Sequence, residues 1–298
     1  MIDPMAALSV TPLTGTFGAE IGGGRLAGVD GEWLMSTLQD HRVLIARDQF
    51  LTHAEQVALA RSMGEPTPAH PVVPGHPDHP EILELDGAKG GRNARWHTDV
   101  TFVATPPAAS VLVGDVVPEW GGDTMWADTR TAYERLVPAL RDAVDGLEAV
   151  HRITPLAYWG EPFDSALGRD DAQQLLDDAA KVPPVVHPVV RVHPGTSRRN
   201  LFVNPGFTSH IVGFSRVESE HLLALLYAHM TQPELTMRHR WRPGDVVMWD
   251  NRATMHYATD DYGGADRRMR RVTIRGGTAV GPTGLESRVV DDPLVAVR

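Results

Sequence analysis

Short β-rich stretches constrain the fold of this chain more than any other feature of its sequence. Each is apolar and is bounded by Gly, Pro, Asp or Asn, and the clearest are residues 43–46, 111–113, 185–192, 246–249 and 272–274. They do not alternate regularly with helices, as the strands of a doubly wound sheet would. The pattern predicts a mainly β fold with peripheral helices around a jelly-roll core, that is, a double-stranded β-helix of the cupin-like kind.

Two capping boxes predict the main helices. In each box, Ser or Thr is followed three residues later by Glu, so that both side chains bond backbone N–H groups of the first turn. The boxes predict a helix over residues 52–64 and another that starts after residue 215 and stops at Pro233. A third helix is predicted over residues 128–136. Residues 155–184 are the least regular part, and we expect them to form a lid or an oligomer contact.

No internal repeat or low-complexity linker divides the chain, so we expect one domain over residues 1–298. The hydrophobic content of 42% is ample for a substantial core. The tail, residues 277–298, shows no clear element, and we expect it to pack against a partner subunit.

Composition excludes several classes of function. The chain has no cysteine, which rules out disulfides, thiolate zinc sites and iron-sulfur clusters, so a metal must be held by His, Asp or Glu. The net charge of -10 argues against nonspecific binding to nucleic acid or anionic membranes. The first residues do not read as a signal peptide, and no apolar window is long enough to span a membrane. We expect a soluble, cytoplasmic protein.

His97, Asp99 and His256 form the candidate metal site. His97 and Asp99 lie two residues apart, so on an extended strand both side chains point to one face. Such a triplet is weak evidence by itself, because it also suits a polar surface strand. His256 strengthens it as a distant third ligand. Two imidazoles and one carboxylate match the facial triad of non-haem Fe(II) oxygenases.

A run of four arginines over residues 267–271 follows His256 in an otherwise acidic chain. Such a run often marks a solvated basic face. Arg267 and Arg271 nevertheless lie close after a candidate ligand, and a guanidinium is a natural receptor for a carboxylate or sulfonate. Two such groups beside one metal suggest two anionic organic molecules.

Several separated blocks resemble the taurine dioxygenase (TauD/TfdA) family of Fe(II)- and 2-oxoglutarate-dependent dioxygenases. The resemblance runs from about residue 10 to residue 276, and its strongest blocks are residues 96–102, 105–107, 121–126, 187–193, 202–208 and 249–256. It implies an oxidoreductase that uses Fe(II), 2-oxoglutarate and O2.

The resemblance also implies roles for individual residues. His97, Asp99 and His256 would hold iron, while Arg267 and Thr124 would bind the distal carboxylate of 2-oxoglutarate. The residues implied around the primary substrate are His70, Asn93, the backbone of Val100, Phe207 and Arg271. One position departs from the family's taurine enzymes, which carry a tyrosine where this chain has Val73. The change makes the substrate pocket more apolar.

The implied activity is hydroxylation of the carbon next to sulfur in taurine or a related alkylsulfonate, with release of sulfite, an aldehyde, succinate and CO2. An alkyl sulfate ester dioxygenase of the alkylsulfatase type, which releases sulfate, is the nearest alternative, and Val73 favours it. A non-redox jelly-roll protein with zinc or manganese is a third alternative, which the pairing of Thr124 with Arg267 disfavours. The expected partners are a small anionic substrate and a second copy of the chain, as a homodimer or homotetramer.

Overall fold

The computed structural model describes residues 8–89, 93–153 and 169–290. The strands are β1 (Ser9–Pro12), β2 (Ala19–Gly22), β3 (Val43–Ala46), β4 (Leu83–Asp86), β5 (Ala109–Val116), β6 (Thr124–Asp128), β7 (Glu148–His151), β8 (Val185–Pro188), β9 (Val190–Val192), β10 (Arg199–Leu201), β11 (Thr208–Ile211), β12 (Thr236–His239), β13 (Val246–Asp250), β14 (Thr254–Ala258), β15 (Arg268–Ile274) and β16 (Arg288–Val289). The helices are α1 (Gly31–His41), α2 (His53–Met63), α3 (Thr129–Arg135), α4 (Pro138–Val144), α5 (Arg169–Ala180) and α6 (Arg216–Met230).

The strands form one large sheet and three smaller ones. The large sheet has the order β1-β2-β3-β13-β5-β15-β4, and the smaller sheets have the orders β11-β7-β8-β16, β12-β6-β14 and β10-β9. Pairing is antiparallel except between β2 and β3. Strands distant in sequence lie side by side, as in β3-β13-β5-β15, which is typical of a jelly roll. The predicted mainly β jelly-roll fold is confirmed.

Both faces of the large sheet are buried, which explains its uninterrupted apolar runs. In β13, Val246 and Met248 belong to the cluster that packs on α1 and α2. Val247 and Trp249 point the other way, toward a second cluster that includes Trp126 of β6. Successive residues of a strand point to opposite faces, so a strand between two packed layers needs apolar residues at every position.

The three predicted helices are confirmed. Thr52 caps α2 and forms the full capping box with Glu55. Ser215 forms the same box at the start of α6, and the Asp128 side chain caps α3. These local side-chain bonds satisfy N–H groups that a helix leaves without partners in its first turn.

Helix α5 lies inside the segment that showed no regular pattern. Its sequence, RDDAQQLLDDAA, is rich in aspartate, a residue of low helix propensity, which obscures a helical signal. Residues 155–168 of the predicted lid or oligomer contact lie outside the described residues.

Part of the tail packs on the chain's own sheet. Val289 of β16 pairs with Val185 of β8, and residues 291–298 lie outside the described residues. Within the described part of the chain, no helix is long and apolar enough to cross a membrane.

Candidate active site

His97 and His256 are held side by side by their own backbones. The N–H of His97 donates to the carbonyl of His256 at 2.9 Å, and the N–H of His256 donates to the carbonyl of His97 at 2.7 Å. Residues that exchange both hydrogen bonds in an antiparallel pair present their side chains on the same face. The two ring centroids are 4.0 Å apart.

Asp99 completes the cluster two residues after His97. Its Oδ1 lies 3.8 Å from Nε2 of His97 and 3.8 Å from Nε2 of His256. The Asn251 amide oxygen accepts from the Asp99 N–H at 2.9 Å, and its nitrogen donates to the Asp99 carbonyl at 3.0 Å. This pair of hydrogen bonds fixes the Asp99 backbone against the turn that follows β13.

The cluster suits a divalent transition metal. One ligand atom from each of the three residues lies within 4.8 Å of the other two, and all three residues are buried. Nδ1 of His97 is 2.8 Å from the Arg95 carbonyl, an arrangement that places the ring proton on Nδ1 and leaves the Nε2 lone pair for a ligand bond. Two imidazoles and a carboxylate leave three positions of an octahedral ion open. These residues fit Fe(II).

Buried charge keeps Asp99 ionised. Arg271 Nη1 donates to Oδ1 of Asp99, and the Ser110 hydroxyl donates to Oδ2 at 2.7 Å. Burial alone would raise the pKa of Asp99, but Arg271, His256 and His97 outweigh it and lower the pKa to about 2. Burial also lowers the pKa of both histidines below the ordinary 6.5. The three side chains are therefore in the forms that bind metal at neutral pH.

A second polar group is built around Arg267. Its Nε donates to the Gly122 carbonyl at 3.0 Å. Gly122 has a φ of +67°, and a Cβ there would lie 3.0 Å from the Arg267 side chain, so glycine is required at this position. Nearby, Nε1 of Trp241 donates to Oγ1 of Thr124 at 2.9 Å. Because that oxygen accepts from Trp241, the Thr124 hydroxyl proton can be donated elsewhere.

One cavity of about 920 Å³ connects these groups. Its lining includes His97 and His256 of the cluster, together with Thr124, Arg267 and Arg271. Two of the candidate metal ligands and two buried cations therefore share one space, which suits an ion together with two anionic molecules.

The residues predicted around the substrate lie beside the cluster. Asn93 lines the cavity, and its Nδ2 is 3.2 Å from Nε2 of His97. A buried layer beside His97 contains His70, Val100 and Phe207. The Phe207 ring centroid is 6.0 Å from that of His97, and the His70 ring centroid is 5.7 Å from that of Phe102. Val100 and Phe207 belong to the same apolar cluster as Phe102. Among the described residues that line the cavity, His70, Val100 and Phe207 do not appear.

Val100 has strained backbone. Its φ is +54°, a conformation that costs a β-branched residue on the order of 1–3 kcal/mol and persists only where the surroundings enforce it. Val100 directly follows Asp99, whose N–H and carbonyl are both held by Asn251. The strained turn therefore lies next to the predicted metal ligand.

Three residues to which the sequence assigned no role also shape the site. Asn251 fixes the Asp99 backbone, Ser110 binds the Asp99 carboxylate, and Trp241 binds Thr124. Ser110 could have been noticed as a polar residue inside the apolar run of β5. The pairings of Asn251 and Trp241 depend on tertiary contacts that no local signal reports.

Comparisons with known proteins agree with this geometry. The family described as "Taurine catabolism dioxygenase TauD, TfdA family" matches residues 9–273. An alpha-ketoglutarate-dependent sulfate ester dioxygenase of Pseudomonas putida is 42% identical over 292 residues, covering 94% of each chain. An alkylsulfatase of Acinetobacter baylyi is 40% identical over 291 residues, covering 96% of this chain and 90% of the relative. The crystal structure of a taurine dioxygenase from Burkholderia xenovorans superposes with a TM-score of 0.80 at 39% identity, covering 97% of this chain and 96% of that one.

Replacing Asn251 by Ala should weaken metal binding by roughly 10–100-fold, the usual effect of losing a residue that orients a ligand. The reason is that the Asp99 backbone loses both bonds to the amide. Titration of the metal-free protein with Co²⁺ measures the affinity. Asn200→Ala is the matched control, because Asn200 is also buried, but within the described residues its side chain bonds only the Arg198 carbonyl. Equal metal affinity in both variants would contradict the role given to Asn251.

The metal affinity should stay constant as the pH falls from 8 to 6.5. The lowered pKa values of His97 and His256 keep both rings neutral until the pH is well below the ordinary value of 6.5, so protons compete with the metal only there. Co²⁺ titrations across a pH series test this. A tenfold loss of affinity per pH unit that already begins near 7 would mean that the rings are not shielded as described.

Proposed function

The chain belongs to the taurine catabolism dioxygenase (TauD, TfdA) family and is a 2-oxoglutarate-dependent dioxygenase, and on that premise we propose that its substrates are organic sulfate esters. The observation that carries the proposal is the single cavity whose wall holds His97, His256, Arg267 and Arg271 together with apolar side chains. A sulfate ester needs both features, because it joins a permanent anion to a hydrocarbon chain.

In this proposal, His97, Asp99 and His256 hold Fe(II). The bound iron, 2-oxoglutarate and O2 supply the oxidation of a C–H bond. The protein fixes the carbon to be oxidised and keeps bulk water away. Its buried carboxylate and two neutral imidazoles provide one negative charge for the ion. The Arg95 carbonyl, which accepts from His97, and the Ser110 hydroxyl, which donates to Asp99, orient two of the ligands.

Arg267 and Thr124 bind the distal carboxylate of 2-oxoglutarate. The guanidinium of Arg267 is held by Gly122 and lies 5.9 Å from the ring centre of Tyr262. Thr124 accepts from Trp241, so its hydroxyl proton is directed to an acceptor in the cavity. A carboxylate there accepts from both residues, and Trp241 acts as a positioning residue.

Arg271 binds the sulfate group from the cavity wall, and His70 belongs to the same subsite as a residue beside Arg271. Arg271 supplies the positive charge. His70 is neutral, since burial, followed by the nearby Arg271, lowers its pKa to about 3. Its Nδ1 accepts from the Val72 N–H at 3.2 Å, so the ring proton lies on Nε2. Asn93 lines the cavity and completes the proposed substrate contacts, while Phe207 and Val100 pack together in a buried cluster that shapes the pocket from behind.

The overall reaction hydroxylates the carbon that carries the sulfate oxygen. One oxygen atom of O2 enters the new hydroxyl group and the other enters succinate, which forms from 2-oxoglutarate with loss of CO2. The hydroxylated carbon then releases sulfate and becomes an aldehyde. With a sulfonate, the same hydroxylation next to sulfur would release sulfite. The two reactions differ in the leaving group, so their products distinguish the substrates.

Sulfate esters are favoured over taurine by the apolar side of the cavity, where the lining residues are Val72, Val73, Leu83, Leu85 and Val116. Taurine is a small zwitterion with only two methylene groups to bury, and Val73 offers no hydrogen bond to its amine. The sulfate ester dioxygenase and the alkylsulfatase that match nearly the whole chain support the same choice. Taurine remains the second candidate, because the superposed crystal structure carries the description taurine dioxygenase.

The choice can be tested with hexyl sulfate and taurine as alternative substrates. We expect succinate to form together with sulfate from hexyl sulfate, and little coupled sulfite from taurine. Val73→Tyr should shift the ratio of kcat/KM values toward taurine by about tenfold, the effect of one added hydrogen bond. Val73→Phe is the control, because it adds the same bulk without the hydroxyl. Coupled sulfite as the main product of the wild-type protein would assign taurine instead.

Trp241→Phe should raise the KM for 2-oxoglutarate by about tenfold with little change in kcat, because Thr124 loses the N–H that orients its hydroxyl. Calorimetric binding of 2-oxoglutarate without O2 gives a second readout. Trp126→Phe is the matched control, since Trp126 is fully buried and its Nε1 has no hydrogen-bond partner within the described residues. Equal weakening in both variants would show that packing, and not the N–H, is responsible.

A further inference from the structure

A second group of metal-ligating side chains lies on the exposed part of the cavity wall. It consists of His53 at the start of α2, His76 and His79 in the loop before β4, and Glu84 of β4, and we call it the rim cluster. One ligand atom from each of His53, His76 and Glu84 lies within 4.8 Å of the other two. These three line the cavity, and none belongs to the cluster around Asp99.

The backbone holds the rim cluster in place. The N–H of His76 donates to the Ile82 carbonyl at 2.9 Å, that of Ile82 donates to the His79 carbonyl at 2.9 Å, and that of His79 donates to the His76 carbonyl at 3.1 Å. This compact turn places the His76 and His79 ring centroids 4.7 and 5.7 Å from that of His53. The three candidate ligand residues belong to three separate elements, namely α2, the loop before β4, and β4, so the fold brings them together.

The side chains of the rim cluster keep lone pairs for a ligand. Within residues 8–89, 93–153 and 169–290, His53 and Glu84 make no side-chain hydrogen bond or ion pair. Burial, followed by the charge of Arg270, lowers the pKa of His53, so its ring is neutral at pH 7. Arg270 itself is engaged by Asp115 at 2.8 Å, which offsets its repulsion of a cation.

One existing bond must be exchanged when His76 binds an ion. Its Nδ1 accepts from the Asp78 N–H at 3.1 Å. Asp78 is exposed, so water can replace this partner at the modest net cost of one hydrogen bond, about 1 kcal/mol. Bonds from two imidazoles and a carboxylate to a transition ion outweigh that loss.

We propose that the rim cluster is a second metal site, which takes a divalent first-row transition ion such as Zn²⁺ through His53, His76 and Glu84. Imidazole and carboxylate are donors that suit Zn²⁺, and His79 stands beside them as a further donor. An ion at this place adds positive charge to the exposed end of the cavity.

Equilibrium dialysis of the metal-free protein, residues 1–298, against low-micromolar Zn²⁺, followed by metal analysis, tests the proposal. The wild-type chain should bind two ions. A His53→Asn, His76→Asn variant should bind one and keep the buried site, whereas His256→Gln should bind one and keep the rim site. A His41→Asn, His221→Asn variant is the matched control for surface histidines and should bind two.

One ion bound by the wild-type chain and none by His256→Gln would overturn the proposal, and so would two ions in the His53→Asn, His76→Asn variant. Glu84→Gln gives an independent check, because it leaves both imidazoles intact and should weaken only the second ion. The number of bound ions also separates the two sites. If the His53→Asn, His76→Asn variant lost one ion and His256→Gln lost none, the result would support the rim site and contradict the proposed buried iron site. Thermal unfolding of each variant confirms that the chain is folded.

Discussion

The mutual backbone hydrogen bonds between His97 and His256 are the constraint on which the rest of the site depends. They join a loop before β5 to β14, two segments separated by more than half of the chain. Because both N–H groups are satisfied within the pair, the two imidazoles start from fixed and adjacent positions. Asp99 then needs only the two-residue offset from His97 and the amide of Asn251 to face them. This backbone pair is what fixes His256 next to the segment that contains His97 and Asp99.

A second buried carboxylate, that of Asp250, is held by partners close to the site. Asp250, which precedes Asn251, is fully buried and accepts from His193 at 2.9 Å and from Nε of Arg252 at 2.8 Å. Burial would raise the pKa of Asp250, but Arg252 and His193 outweigh it and hold the pKa below its usual range. Removing one partner from such a buried group costs about 3–5 kcal/mol. These bonds fix the turn that contains Asn251, so Asn251 holds the Asp99 backbone in a fixed position.

Local signals in the sequence were sufficient for much of the fold. Helix caps such as Thr52 and Ser215 act within a few residues, and apolar runs such as that of β13 report burial directly, so both could be predicted. The three residues of the candidate metal site could also be predicted, because the types of these residues and their spacing indicate metal binding. The support of that site could not be found in the same way. Asn251 and Trp241 act on residues more than 100 positions away, and a bond of that kind exists only once the strands are paired.

The four arginines of residues 267–271 differ in burial and in hydrogen-bond partners, and the sequence alone does not predict these differences. Arg267, Arg270 and Arg271 are each no more than 5% exposed, whereas Arg268 is exposed, so the run is not the solvated face that such composition usually indicates. Each buried guanidinium has its own acceptor: the Gly122 carbonyl for Arg267, Asp115 for Arg270 and Asp99 for Arg271. Successive residues of β15 point to opposite faces of the sheet. Arg271 thereby reaches the cluster around Asp99, and Arg270 lies on the side of the rim cluster, so one strand sets the charge at both ends of the cavity.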